Sequence, residues 1–141
     1  MRALGLDLGS KRIGVAVSDV GGTIASPLTV LARSRSRRHD HDEIARLVRV
    51  EEAGIVVVGL PRSLSGDLGP AARGVLAEIK TLATVVGVPV ETYDERLTTV
   101  AAESALRDAG VRGPARRQRV DKVAAAVILQ GWLEARRGAR R

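Results

Sequence analysis

Cysteine is absent from the 141 residues, and aromatic side chains nearly so: one Trp, one Tyr and no Phe. Without thiols there is no disulfide framework, zinc–thiolate centre, iron–sulfur cluster or catalytic cysteine. Without aromatic surfaces the chain lacks the several base-stacking platforms that single-strand binders use. No apolar run approaches the roughly 20 residues that a membrane-spanning helix needs. The first residues show no basic lead, long apolar stretch and cleavage site. No signal peptide is therefore expected, and the cytoplasm is the expected location. Lysine is also scarce. Lys11, Lys80 and Lys122 stand against twenty arginines.

What is present is a globular composition, 45% hydrophobic and 28% charged, which argues against wholesale disorder. The length predicts a single domain over 1–141, with a basic tail from about 134. The net charge of +7 is carried mostly by arginine, which recognises phosphate through a planar, bidentate fork. A compact basic domain predicts a polyanionic partner, nucleic acid above all. The arginines cluster at 33–38, at 112–119 and at 136–141, each expected in a loop or tail.

Residues 2–8 alternate with period two. Leu4, Leu6 and Leu8 face one way; Ala3, Gly5 and Asp7 face the other. A turn at 9–12 leads to a second strand over 13–18, and a Gly21-Gly22 turn to a third over 23–31. Asp40 is the expected cap of a helix running through 52. Ile55-Val-Val-Val-Gly59 is the continuous apolar run of a strand buried on both faces. A helix is expected over 71–86, a fifth strand over 88–93, a helix from Thr98 or Thr99 to 109, and a last helix over 120–136. The 110–119 loop is a candidate mobile clamp. The order βββ-α-β-α-β-α-α predicts an α/β fold. Its five-stranded mixed sheet combines an antiparallel meander of the first three strands with parallel fourth and fifth strands, helices covering both faces. Ligands of such sheets gather at the carboxyl ends of the parallel strands.

Three acids are expected at that edge. Asp7 ends the first strand on its small-residue face, where an unpaired charge is costly to bury. Asp121 aligns at helical spacing with Ala124, Ala125 and Ile128. Glu95 ends the fifth strand, with Asp94 and Glu91 as substitutes that the pattern leaves open. Converging carboxylates form a hard oxygen site suited to Mg²⁺ or Mn²⁺. His39 and His41 read as solvated in a polar loop. Tyr93 is placed to stack one base, and Trp132 reads as packed or partly exposed on the last helix.

Four segments occur in order: Asp7-Leu-Gly-Ser-Lys-Arg-Ile-Gly-Val-Ala16, Val58-Gly-Leu-Pro61, Asp94-Glu-Arg-Leu-Thr-Thr99 and Val120-Asp-Lys-Val-Ala-Ala-Ala-Val-Ile-Leu-Gln130. Together they resemble the motifs of the YqgF/RuvX family of bacterial Holliday-junction-resolvase-like proteins, over about 2–133. The resemblance implies an RNase H-like fold and metal-dependent nuclease chemistry in 5′-end maturation of pre-16S ribosomal RNA. It carries the family's acidic triad over to Asp7, Glu95 and Asp121, and implies two Mg²⁺ or Mn²⁺ ions astride a phosphodiester, with Asp7 as the bridging ligand. Lys11, Arg12, Arg96, Arg116, Arg117 and Arg119 are then the candidate nucleic-acid contacts. The implied partner is structured precursor rRNA or the pre-ribosomal small subunit, met by a monomer or weak homodimer. Three rivals use the same residues: a DNA junction resolvase, a non-catalytic nucleic-acid or ribosome-binding module, and an ATPase of the actin and sugar-kinase type. The last needs two such domains around a nucleotide, and the length allows one.

Overall fold

The computed structural model describes residues 1–62, 65–95 and 113–139, with side chains for all of these except 113–121 and 139. Alternation over the first segment produces β1 (Arg2–Leu8), which pairs antiparallel with β2 (Arg12–Ser18); β2 pairs with β3 (Ala25–Ala32). Helix α1 (Arg37–Val50) then crosses to β4 (Ala53–Leu60), and α2 (Pro70–Val86) crosses to β5 (Val90–Asp94). Both crossovers return parallel, and the sheet order is β3-β2-β1-β4-β5. Helix α3 (Gly113–Ala139) closes the described chain. The mixed sheet is the expected one, within two residues at nearly every strand end. The helix expected from Thr98 or Thr99 to 109 lies outside the described residues.

Alternation also divides the core into two layers. Leu4, Leu6, Ile13, Val15, Val56 and Val58 face α1 and α2, where Ile44, Val48, Ala72, Val75 and Leu82 meet them. Ala3, Ala16, Ile55 and Val57 face α3, where Ala125, Ile128, Leu129, Trp132 and Leu133 cover them. Because β4 contributes to both layers, its sequence runs apolar without alternation.

The second layer is close because it is built from small residues. A Cβ placed on Gly5 would stand 2.8 Å from Leu129 Cβ and 3.0 Å from the Ala125 carbonyl oxygen. The helix therefore rests on the bare backbone of β1. Substituting Gly5→Ala should push α3 off the sheet and cost about 1–3 kcal/mol, read as a lower denaturation midpoint. An unchanged midpoint would mean that the layer yields at no cost.

Two helix starts differ from expectation. Ser36, not Asp40, caps α1: its Oγ accepts from the His39 N–H, and the helix begins at Arg37 and ends at Val50. Glu52 lies beyond it with a φ of 54°. Helix α3 begins at Gly113, seven residues before the expected start, so 113–119 is helical rather than a loop. Proline is compatible with a first helical turn, and the Ala, Arg and Gln that follow Pro114 are strong helix formers.

A candidate acidic site at the carboxyl edge of the sheet

Asp7 is the penultimate residue of β1, opposite Gly14 of β2. Glu95 directly follows β5, and its N–H donates to the Leu60 carbonyl at the end of β4, at 3.2 Å. The Glu95 carboxylate lies over Gly59. A Cβ on Gly59 would collide with Glu95 Oε2 and with Ile128 Cδ1. Glycine at this position thus makes the floor of the site and lets the acid lie across β4 toward β1.

The electrostatics record that approach. Burial pushes the Glu95 carboxyl up to about 7, with the charges of Asp7 and then Asp94 adding to the effect. A partly buried carboxylate within electrostatic reach of a second one is in the arrangement that a cation relieves. Hard oxygen donors of this kind suit Mg²⁺ or Mn²⁺. Among the described residues no group of three His, Cys, Asp or Glu side chains could hold a metal ion. The third expected acid, Asp121, has its backbone on α3 and its side chain outside the described residues. Helix α3 runs from Ala125 over Gly5 to Trp132 and Leu133, which share a small pocket with Ala3 and Met1. Its earlier residues therefore lead toward the Asp7 end of β1.

Glu91, Asp94 and Glu95 are placed differently. Glu91 accepts from Trp132 Nε1 at 2.9 Å, so its carboxylate is engaged at the α3 layer. Asp94 ends β5 opposite Leu60 and acts on the site as a neighbouring charge. Tyr93 is partly buried against the α3 layer, and a Cβ on Gly131 would stand 2.7 Å from its hydroxyl oxygen. Trp132 is packed as expected, with Arg136 stacked 5.0 Å from its ring centroid.

Of the candidate cationic contacts, Lys11 is exposed at the β1–β2 turn and Arg12 is half-buried at the start of β2. Arg96 lies outside the described residues. Arg116, Arg117 and Arg119 occupy the first turns of α3, with side chains outside the described set.

One network was not anticipated. His41 is not solvated but wholly buried on α1, with Nε2 2.7 Å from Glu78 Oε2 on α2. Arg33 grips the same carboxylate with two donors at 2.7 and 2.9 Å, and its Nε donates to the Gly9 carbonyl at 2.9 Å. Arg33 thereby ties the β1–β2 turn to both helices. Burial alone would raise the Glu78 carboxyl. The hydrogen bonds from Arg33 and His41, and the charges of Arg33 and Arg37, outweigh burial and lower it to about 2. A depressed carboxyl contributes stability that is present above the unfolded value near 4.5 and is lost as pH falls through about 2. Glu78→Gln should flatten acid denaturation within that window and cost about 1–3 kcal/mol at neutral pH, measured by urea titration. An acid limb identical to wild type would remove the network from the account. The signals were in the sequence: Glu78 falls among the stripe Ala72, Val75 and Leu82, and His41 among Ile44, Ala45 and Val48.

The model of the RuvX family, described as Holliday junction resolvase, matches residues 1–135. The chain belongs to the RuvX family. A RuvX relative from Anaeromyxobacter sp. (strain Fw109-5), named "Putative pre-16S rRNA nuclease", is 51% identical over 136 residues, covering 96% of this chain and 98% of that protein. Relatives with the same name from Chloroflexus aggregans and Mycobacterium sp. (strain KMS) are 48% and 47% identical, covering 95% and 98% of this chain and 94% and 82% of theirs. In fold, this RuvX chain is similar to Thermus thermophilus RuvC in complex with Holliday junction substrate. The TM-score is 0.61 at 22% identity, covering 98% of this chain and 96% of that one. The RNase H-like fold implied by the four sequence segments is therefore the observed one.

Proposed function

We propose that the protein is a metal-dependent nuclease that hydrolyses phosphodiester bonds, acting in 5′-end maturation of pre-16S ribosomal RNA. The observation that carries this reading is the Glu95 carboxylate lying over Gly59 at the carboxyl edge of the parallel strands, within electrostatic reach of Asp7. A pure phosphate binder has no use for converging acids, which repel its ligand. The names of the RuvX relatives support the substrate.

Asp7, Glu95 and Asp121 are the proposed holders of two Mg²⁺ or Mn²⁺ ions. When bound, such ions lower the pKa of an attacking water and stabilise the leaving 3′ oxygen. The protein's part is geometric. β1 and β4 hold Asp7 and the floor under Glu95 rigidly, and Lys11 and Arg12 at the adjoining turn bind a neighbouring phosphate. Arg96, Arg116, Arg117 and Arg119 are proposed to extend that contact, so recognition rests on phosphate and shape rather than on base edges. Neutralising Arg116, Arg117 and Arg119 together should lower the log-affinity against log-salt slope by roughly two to three. An unchanged slope would exclude the first turns of α3 from the interface.

No helix among the described residues is long and apolar enough to cross a membrane. The proposed setting is the cytoplasm, with precursor rRNA or the pre-ribosomal small subunit as partner and a monomer or weak homodimer as the acting form. The test is cleavage of structured RNA, single-stranded RNA and four-way DNA junctions with Mg²⁺ or Mn²⁺. Structured RNA should be cut fastest. Preference for the junction would move the assignment to DNA resolution, and binding without cleavage would leave a non-catalytic module.

A further inference from the structure

Beside the acidic site, between the β1–β2 turn and the start of α1, lies a cleft of about 360 Å³ lined by Ser10, Arg33, Ser34, Arg35, Arg37 and Asp40. Three of its six lining residues are arginines, and its one acid is turned inward. Asp40 is buried, and its Oδ1 accepts from the Ser34 N–H at 3.0 Å. Its charge is spent on the backbone that shapes the cleft.

The cations divide into two roles. Arg33 forms the wall, fixed by both Glu78 oxygens and by the Gly9 carbonyl. Arg35 and Arg37 are exposed. Arg37 approaches Glu78 with Nε at 3.7 Å, and its side chain is 61% exposed. A guanidinium has five N–H donors in a fixed fork, so Arg37 retains donors for a second anion. Among the described residues Arg35 makes no ion pair. Ser10 adds a hydroxyl donor, while the Ser34 hydroxyl, donating to the Ser36 carbonyl at 2.9 Å, braces the rim. This is the donor set of a phosphate site: fixed at the back, exposed at the front, with no acid among the lining residues facing the opening.

Position decides which phosphate. The Gly9 N–H donates to the Asp7 carbonyl at 3.1 Å, and Ser10 follows at once. Three residues span at most about 10 Å of chain. Lys11 is exposed on the same turn. We propose that the cleft is a second phosphate-binding site that holds the backbone of the nucleic-acid strand about one to three nucleotides from the bond at Asp7 and Glu95. The inference rests on the proposed nuclease reading only for the position of that bond. The 33–38 run is thus a built part of the interface rather than a solvated loop.

The test measures binding of the full chain to a fluorescent RNA hairpin in EDTA, where cleavage is blocked, over a series of salt concentrations. Arg35→Gln with Arg37→Gln is compared with Arg46→Gln plus Arg49→Gln. The second pair makes the same charge change at the other, exposed end of α1. The cleft pair should weaken binding about three- to tenfold near 100 mM salt and lower the salt slope by about one to two; the control pair should leave the slope unchanged. Equal effects from both pairs would reduce the result to net charge and overturn the proposal, as would no binding by the wild type. Titration with inorganic phosphate separates the two sources of the ligand. Phosphate binding lost in the cleft variant, with RNA affinity intact, would overturn the strand assignment. Cleavage is scored separately on the same RNA with Mg²⁺. A wild type that binds through the cleft without cutting refutes the nuclease and leaves the cleft in place. Cutting with no effect from the cleft pair does the reverse.

Discussion

Asp7→Asn should abolish cleavage while leaving the fold intact. Asparagine keeps the size of the side chain at the end of β1 and removes the charge that a hard cation requires. Loss of a ligand should exceed the 10–100-fold effect typical of residues that only support ligands, so a fall of more than about a hundredfold is expected. The same substitution should relieve Glu95 in part. Burial, the largest cause of its raised value, remains, but Asp7 is the leading charge that pushes the carboxyl up, so the value should move down from about 7. The metal-free variant should therefore melt no lower than wild type, with an unchanged circular dichroism spectrum. The two readouts separate a catalytic loss from a folding loss. A purified variant that cleaves at the wild-type rate would sink the assignment of the acids to catalysis.

The second large effect joins metal, pH and stability. In the folded state the Glu95 carboxyl stands at about 7, above its ordinary 4.5, so the fold holds that proton more tightly than the unfolded chain does. The stability this contributes is complete below about 4.5 and lost as pH rises through 7. Without divalent cations the melting temperature should therefore fall between pH 5 and pH 8. A cation that binds the native state and hardly binds the unfolded chain should raise it again, stabilising the fold by about 2.7 kcal/mol at a hundred times its dissociation constant. The rise should be larger at pH 8 than at pH 5, because binding needs the deprotonated acid. In a triple variant with Asn at 7, Gln at 95 and Asn at 121, both the pH slope and the metal response should largely vanish. Mg²⁺ sheds water reluctantly and commonly completes its shell with substrate phosphate, so the measurement is repeated with a non-cleavable RNA. If neither Mg²⁺ nor Mn²⁺ shifts melting with or without that RNA, the acids are not a metal site and a non-catalytic module is the better reading.

What the sequence made legible follows from periodicity. Alternation in β1 assigned Leu4 and Leu6 to one layer and Ala3 and Gly5 to the other, and the run at 55–59 marked the central strand that both layers share. The alanines at 124 and 125 announced a close helix. The proposed site was legible only in part. Asp7 stood out by its face, but Glu95 shared its pattern with Glu91. What distinguishes the two is a hydrogen bond from Trp132, 41 residues away, and no local pattern encodes it. The Arg33–Glu78–His41 network was hidden for the same reason: its partners lie 45 and 37 residues apart. A polar residue within an apolar helical stripe is the trace such a network leaves. The early start of α3 was missed because Gly113 and Pro114 read as a loop, when proline fits a helix's first turn.

The contact of Gly5 with Ala125 and Leu129 joins the first strand to the last helix across more than a hundred residues of chain. The β1–β2–β3 meander and the α1 and α2 crossovers are local by comparison and can form as their segments appear. Closure of the second layer carries the largest loop-closure cost in the fold and is the natural late step of folding. Asp7 lies two residues beyond Gly5, and Asp121 lies one helical turn before Ala125. Docking of α3 therefore completes the hydrophobic layer and brings the two ends of the proposed triad together in one event. A partly folded chain with α3 undocked would be a basic surface able to hold RNA but without the assembled acids to cut it.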